Sequence, residues 1–207
     1  MQGITAHYLA YSLFPLKPGH TALVHAAAGG VGALLTQLAT SIGARVIATV
    51  STEEKEEIAR EAGAQEVILY GQQEFDKEVR RLTDGQGVDV VYDGVGKSIF
   101  EQSLKSLKRL GMLALYGAAS GPVPPFDLAR LSTLGSLFVT RPVSLDYVAT
   151  SEQYLKRVTA LFDMQQRGKL KVRIDRVFPL GEAAQAHIRL ESREAIGKVL
   201  LSTSVSA

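Results

Sequence analysis

The chain has no cysteine and no tryptophan. Without thiols there is no disulfide framework, no thiol nucleophile and no thiolate metal site, and the redox compartment stays open. Neither sign of charge dominates: 23 Lys and Arg against 21 Asp and Glu leave a net +2. With both signs interleaved, no basic stripe points to nucleic acid. No apolar run approaches the ~20 residues of a membrane span, and Met1–His7 lacks the basic and apolar regions of a secretory signal. The four histidines, His7, His20, His25 and His187, show no H-x-x-H or H-E-x-x-H spacing, so no metal motif emerges. Nor is there a G-x-S-x-G elbow or other nucleophile motif. The expectation is a soluble, cytoplasmic protein that binds neither nucleic acid nor membrane.

What is present is regular. Six short apolar, β-branched runs open near Thr21, Arg45, Glu66, Val88, Met112 and Ser136, at intervals of 21 to 24 residues. That interval holds one strand and one helix. Between the first two runs, Val31, Leu34, Leu35, Leu38, Ala39 and Ile42 follow a helical i, i+3, i+4, i+7 pattern. Phe75, Val79 and Leu82 repeat it, as do Phe100, Leu104 and Leu107. Near-continuous apolar strands alternating with amphipathic helices imply a parallel sheet covered on both faces. The predicted fold is α/β, a Rossmann-type doubly wound six-stranded parallel sheet.

Residues 1–16 read as a leading helix ended by Pro15 and Pro18-Gly19, and 121–126 as a turn-rich loop before a short helix near Leu128–Leu131. A long helix is expected over 152–166, ended by Gly168. Then come a strand (Val172–Phe178), an Ala-rich helix (Gly181–Leu190) and a last strand (Lys198–Ser202). This strand-helix-strand tail has no place in a six-stranded sheet. The expected division is a dinucleotide-binding domain over 1–168 and a C-terminal tail over 169–207.

The first strand runs straight into Ala26-Ala27-Ala28-Gly29-Gly30-Val31-Gly32, where a helix opens. Strand, glycine turn and helix are the context of a dinucleotide fingerprint. At G-x-G-x-x-G spacing, Ala27 replaces the first glycine, Gly29 lets a pyrophosphate approach the backbone, and Gly32 lets the helix lie close to the sheet. A plain tight turn between strand and helix is the competing reading; the even spacing of the other units favours a nucleotide site.

The end of the second strand separates NAD from NADP. An acid there would bond the ribose 2′-hydroxyl; this chain has Val50-Ser51-Thr52-Glu53-Glu54-Lys55. Two hydroxyls and a lysine suit a 2′-phosphate. Ser51-x-x-Glu54 also reads as a helix capping box, and Glu53 and Glu54 leave room for NAD. The fourth and fifth strands end in Tyr92-Asp93-Gly94-Val95-Gly96 and Tyr116-Gly117-Ala118-Ala119, either crevice walls or ordinary turns. Tyr70 is placed to stack on an adenine or to cover the sheet edge. His25, inside an apolar strand, reads as a satisfied core histidine. With a cofactor site and no acid–base motif, the residues suit hydride chemistry, in which the cofactor carries the reaction.

At these positions the chain resembles the zinc-free quinone oxidoreductases, the zeta-crystallin-like group of the medium-chain dehydrogenase/reductase superfamily. The resemblance runs through Gln2-Gly3-Ile4-Thr5-Ala6, the turn from His25 to Gly32, Thr49 to Lys55, Val90 to Gly96, Gly135 to Pro142 and Ala186 to Arg193. It implies reduction of quinones or other activated alkenes and carbonyls with NADPH and no metal. By position it puts Thr5 and Tyr8 near the nicotinamide end, and Ala28, Gly29, Gly30 and Val31 on the pyrophosphate. Ser51, Thr52, Lys55 and Tyr70 fall around the 2′-phosphate. Tyr116, Gly117, Phe138 and Thr140 line the nicotinamide pocket, and Arg193 reaches the cofactor from the tail.

No residue is implied as a covalent catalyst. Family members begin with a GroES-like catalytic domain, which this sequence lacks; the tail would pack against it. The resemblance also implies a homodimer joined through the sixth strand, residues 135–140. Enoyl-thioester reduction is a sister activity on the same scaffold, and a non-catalytic NADPH-binding dimerisation module is an alternative of another class. A methyltransferase would want an acid where Val50-Ser51 stand.

Overall fold

The computed structural model describes residues 1–192 and 195–203. Its centre is a six-stranded parallel sheet, β1 (Thr21–His25), β2 (Arg45–Val50), β3 (Glu66–Leu69), β4 (Val88–Asp93), β5 (Leu107–Leu115) and β6 (Phe138–Thr140). The order is β3-β2-β1-β4-β5-β6, the doubly wound arrangement whose strand order reverses between β1 and β4. Alternation along each strand assigns the two faces. Ala22, Val24, Val46, Ala48, Val90 and Tyr92 join one buried cluster; Leu23, Ile47, Val91 and Leu113 join the other. Helices α1 (Gln2–Tyr8), α2 (Gly32–Ile42) and α3 (Glu53–Glu61) supply the first face, and α4 (Phe75–Leu82) and α5 (Phe100–Ser106) the second. Helices α6 (Ala129–Thr133) and α7 (Ser151–Gln166) follow β5 and β6. The fold class expected from the pattern is thus the one observed.

Three boundaries differ from expectation. The leading helix is α-helical only to Tyr8 and widens to a π-turn over Leu9–Leu13. There the Leu9 carbonyl accepts from Phe14 N–H and from the buried Tyr92 hydroxyl at 3.2 Å, an insertion that opens a helical turn. Strand β6 starts at Phe138 because Gly135 and Ser136 take positive φ, 115° and 56°, outside the extended region. Strand β5 starts at Leu107, five residues earlier than the apolar run, and its register against β4 shifts between Val88 and Val90.

The tail forms β7 (Ile174–Pro179), α8 (Ala183–Glu191) and β8 (Lys198–Ser202). β7 and β8 pair in parallel with each other in a separate two-stranded sheet. The Arg189 guanidinium holds Asp175 at 3.1 Å, pinning α8 to β7. The tail's start is tied to α2: Gln37 Nε2 donates to the Lys171 carbonyl at 3.1 Å, and Lys171 N–H donates to Gln37 Oε1 at 2.7 Å.

Candidate functional site

The β1–α2 turn is fixed from both sides. Ala26 is left-handed at φ 50°, a strained conformation for a residue with a Cβ. Ala27 N–H donates to Thr49 O on β2, and Gly29 N–H donates to Ala26 O at 2.8 Å. A Cβ on Gly32 would stand 2.3 Å from the Ala26 carbonyl oxygen, so glycine is what allows α2 to start against the strand end. The N–H groups of Gly30 and Val31 make no backbone hydrogen bond among the described residues. Open donors at the start of an 11-residue helix suit an anion. A cleft of about 260 Å³ opens beside the turn, lined by Ala28, Gly29, Gly30 and Ala33 and by Arg173 and Lys198 of the tail.

On the other side of the switch point, a cavity of about 250 Å³ lies over the ends of β1 to β4, lined by His25, Thr49, Tyr70, Phe75, Val95, Ser98, Ile99 and Ser120. Tyr70 N–H donates to Val50 O at 3.2 Å, which sets the exposed Tyr70 ring beside the β2 end. There Lys55 Nζ lies 3.4 Å from Ser51 Oγ. Ser51 and Lys55 thus meet at the β2 end, and Tyr70 follows β3 beside it. The structure corrects the capping box: Thr52 is the α3 N-cap, its hydroxyl accepting from Lys55 N–H at 3.3 Å. Ser51 is left at the strand end, and its hydroxyl serves the lysine.

The cavity floor is a buried polar chain. His25 Nδ1 meets Thr49 Oγ1 at 2.8 Å and Nε2 meets Ser103 Oγ at 3.0 Å; hydroxyls can serve either tautomer. Burial lowers the His25 pKa to about 3, so the ring is neutral. Next to it, Asp93 Oδ1 accepts from the N–H groups of Val95 at 2.7 Å and Gly96 at 2.9 Å. Burial pushes the Asp93 carboxyl up, against the pull of those amides. The β4 end is thereby closed on its own side chain. Its glycine serves the protein as well: a Cβ on Gly94 would lie 2.9 Å from the Tyr116 ring, and one on Gly117 would lie 2.4 Å from Gly94 O.

At the far end of the crevice, Tyr8 is buried, stacked on Tyr147 at 4.2 Å and 10°. Its phenol is raised to about 12, first by burial and then by Tyr147. Tyr8 is thus a core residue here, and half-buried Tyr116 packs against the same cluster. Thr5 is half-buried, its hydroxyl donating to Met1 O at 3.3 Å. Thr140 closes the edge strand opposite Ala114, and Phe138, two residues earlier on the same face, is 55% exposed. Arg193 lies outside the described residues. Sequence reasoning missed Thr49, Ser98 and Ser120 as cavity lining. A hydroxyl residue at a strand end is a weak signal, and only the parallel register of β1 to β4 gathers these side chains.

The family described as zinc-binding dehydrogenase matches residues 30–161. The chain belongs to that family. Within it, the chain is similar to a Burkholderia 2-haloacrylate reductase, 43% identical over 97% of this chain and 61% of that protein. A mycobacterial structure complexed with NADPH is 48% identical with a TM-score of 0.93. The Escherichia coli quinone oxidoreductase complexed with NADPH is 39% identical, also at 0.93. Each of these two structures is matched over 97% of this chain and 62% of that one. The resemblance to quinone oxidoreductases of the medium-chain dehydrogenase/reductase superfamily is therefore upheld. The chain spans about three-fifths of the length of these relatives.

Proposed function

We propose that the chain is the NADPH-binding part of an oxidoreductase that reduces quinones or activated alkenes without zinc. The observation that carries it is the neutral, hydroxylated β2 end, where Ser51 and Lys55 meet with Tyr70 following β3 beside them, together with a glycine turn with open N–H donors. The site fits the cofactor: Gly32 is a close-approach glycine, and the cavity at the β2 end has no carboxylate in its lining. NADPH-bound relatives support the choice of dinucleotide. When bound, NADPH supplies a hydride from its nicotinamide.

The protein's own work is to hold and orient. The α2 turn takes the diphosphate through Gly30 and Val31, Lys55 and Ser51 take the 2′-phosphate, and Tyr70 faces the adenine. Tyr116, Gly117, Phe138 and Thr140 shape the nicotinamide end, with Thr5 on the first helix. Burial raises the Tyr116 phenol, so that wall stays uncharged at neutral pH and suits an apolar ring. Zinc has no cysteine to bind, and no cluster of three His or acidic residues occurs among the described residues. The 2-haloacrylate reductase relative favours activated alkenes beside quinones as acceptors.

The exposed apolar side chains of the tail, from Val172 to Leu201, seat the part of the enzyme that relatives carry beyond the matched three-fifths. That part supplies the other wall of the substrate cleft. The short edge strand β6, with Phe138 outward, pairs with a second copy of the chain. The enzyme works in the cytoplasm.

Calorimetric titration tests the cofactor. The wild type should bind NADPH well ahead of NADH. Lys55→Ala should weaken NADPH about ten-fold, the scale of one charge-assisted hydrogen bond, and leave NADH within about two-fold. Equal losses for both cofactors would remove the 2′-phosphate assignment.

A further inference from the structure

The glycine turn holds one glycine whose missing Cβ is displaced first by a side chain. Gly30 lacks the positive φ that demands glycine, and the three atoms nearest the Cβ it lacks all belong to one side chain. What fills that space is the end of the Gln2 side chain. A Cβ on residue 30 would lie 2.2 Å from Gln2 Nε2 and 2.5 Å from both Cδ and Oε1. The carboxamide of Gln2 therefore lies against Gly30, in the turn that opens α2.

Its polar atoms are unused. Gln2 Oε1 is buried and has no hydrogen-bond partner. An unmet buried acceptor is unfavourable, and a leucine of similar size would cover the same backbone without that cost. A carboxamide offers both a donor edge and an acceptor edge. A dinucleotide whose diphosphate meets the N–H groups of the turn would bring the nicotinamide-side phosphate and ribose toward this carboxamide. That segment presents acceptors on its phosphates and donors on its ribose hydroxyls, the complement of one carboxamide.

We infer that Gln2 is a cofactor-binding residue: its carboxamide closes over the glycine turn and bonds the nicotinamide-side phosphate and ribose of the dinucleotide. The inference rests on the NADPH reading above. It explains why residue 30 is glycine: the missing Cβ makes room for a ligand-binding side chain from another element. It also ties the first helix to the turn through the bound cofactor, so that Thr5, one helical turn on from Gln2, is set relative to the same molecule.

The test titrates NADPH and the fragment 2′,5′-ADP into the full chain and into Gln2→Leu and Gln2→Glu. NADPH is followed by its dihydronicotinamide fluorescence and the fragment by calorimetry. The fragment carries the adenosine, the 2′-phosphate and one 5′-phosphate, and lacks the second phosphate of the bridge and the nicotinamide-side ribose. Gln2→Leu should weaken NADPH about ten-fold, and Gln2→Glu should weaken it further by setting a carboxylate beside phosphate. Both should bind 2′,5′-ADP as the wild type does, and Gln2→Leu should unfold at no lower a temperature than wild type without cofactor. Unchanged NADPH binding in Gln2→Leu would overturn the inference. So would equal losses for NADPH and the fragment, since a mere clamp on Gly30 affects both. If Gln2→Leu does not fold, the isosteric Gln2→Glu decides alone. A wild type that binds neither probe would instead overturn the NADPH reading itself.

Discussion

Two pairs of strands in this chain are similarly apolar and meet opposite surroundings. In β1 and β4, Leu23, Val24, Val90 and Val91 are fully buried between helical layers. In β7 and β8, Val177 is 54% exposed and Leu201 42%. A run of apolar residues says that a strand belongs under cover; it does not say which surface provides the cover. Stabilisation scales with apolar area removed from water, about 25 cal/mol per Å², so cohesion here lies with the six-stranded sheet. The tail meets the sheet layer through two buried side chains, Leu170 and Ile196, and a few polar contacts, Gln37 with the Lys171 backbone and Arg173 with Glu61, and is braced internally by Asp175 with Arg189.

Acid should separate the two regions most widely. His25 has a folded pKa of about 3 against 6.5 in the unfolded chain. Between those values the unfolded state binds the extra proton. Stability is therefore complete above about pH 6.5 and falls as pH drops, by up to about 1.4 kcal/mol per pH unit. His7, lowered to about 4 by burial and by Arg157 and Lys156, adds loss of the same sign. Asp93 runs the other way: its carboxyl is raised by burial, so protonating it as pH falls relieves a buried charge. In the tail, the Arg189 hydrogen bond lowers Asp175. Its contribution is complete above the usual 3.8 and is lost as pH falls from there through its lowered folded value. The sheet should thus weaken at a higher pH than the tail contact. Urea unfolding between about pH 7 and 4 checks this, and His25→Gln should flatten the profile. An unchanged slope would move the acid sensitivity to other groups.

The sheet was legible because each of its signals is local. Even spacing gave the six units, alternation gave the faces, and the turn from Ala26 to Gly32 announced itself beside a strand. Less visible were features made by residues distant in sequence. Leu9 and Tyr92, 83 positions apart, make the π-turn. Asp93 folds back on the Val95 and Gly96 amides, so one glycine-bearing strand end serves its own carboxylate. The Gln2 side chain fills the space at Gly30, which no spacing rule connects. Positive φ at Ala26, Leu110 and Ser136 went unseen because none is glycine, the residue that usually flags such a turn. At the β2 end the residue types were right and their roles were exchanged: Thr52 caps the helix and Ser51 stands free of that task.

A single methyl group should sharpen the comparison next. Gly32→Ala forces a Cβ to 2.3 Å from a backbone oxygen held in the turn. Overpacking of this kind costs about 1–3 kcal/mol and should displace the open N–H groups of Gly30 and Val31. Gly181, at the tail's 3₁₀ turn, has nothing within 4 Å of its missing Cβ. Gly181→Ala should stay within about 0.5 kcal/mol of wild type. Chemical denaturation measures both. Equal effects would mean that tail and sheet share one tight packing network, contrary to the exposure of β7 and β8.

The smallest expected effects separate the two kinds of exposed apolar surface. Phe138 on edge strand β6 and Leu200 on β8 are both open, 55% and 39% exposed. Replacing either with serine removes little buried area and should change stability by less than about 0.5 kcal/mol. Their partners differ under the proposed reading. β6 offers unpaired backbone groups along a sheet edge and so takes a second copy by strand pairing, whereas Leu200 waits for a different part of the enzyme. Sedimentation of the chain at high concentration should therefore show a dimer that Phe138→Ser loosens and Leu200→Ser leaves intact. Dissociation by Leu200→Ser alone would place the self-contact on the tail. A monomeric wild type would leave β6 as an edge blunted only by its three-residue length, which is itself a recognised way to keep strands from pairing.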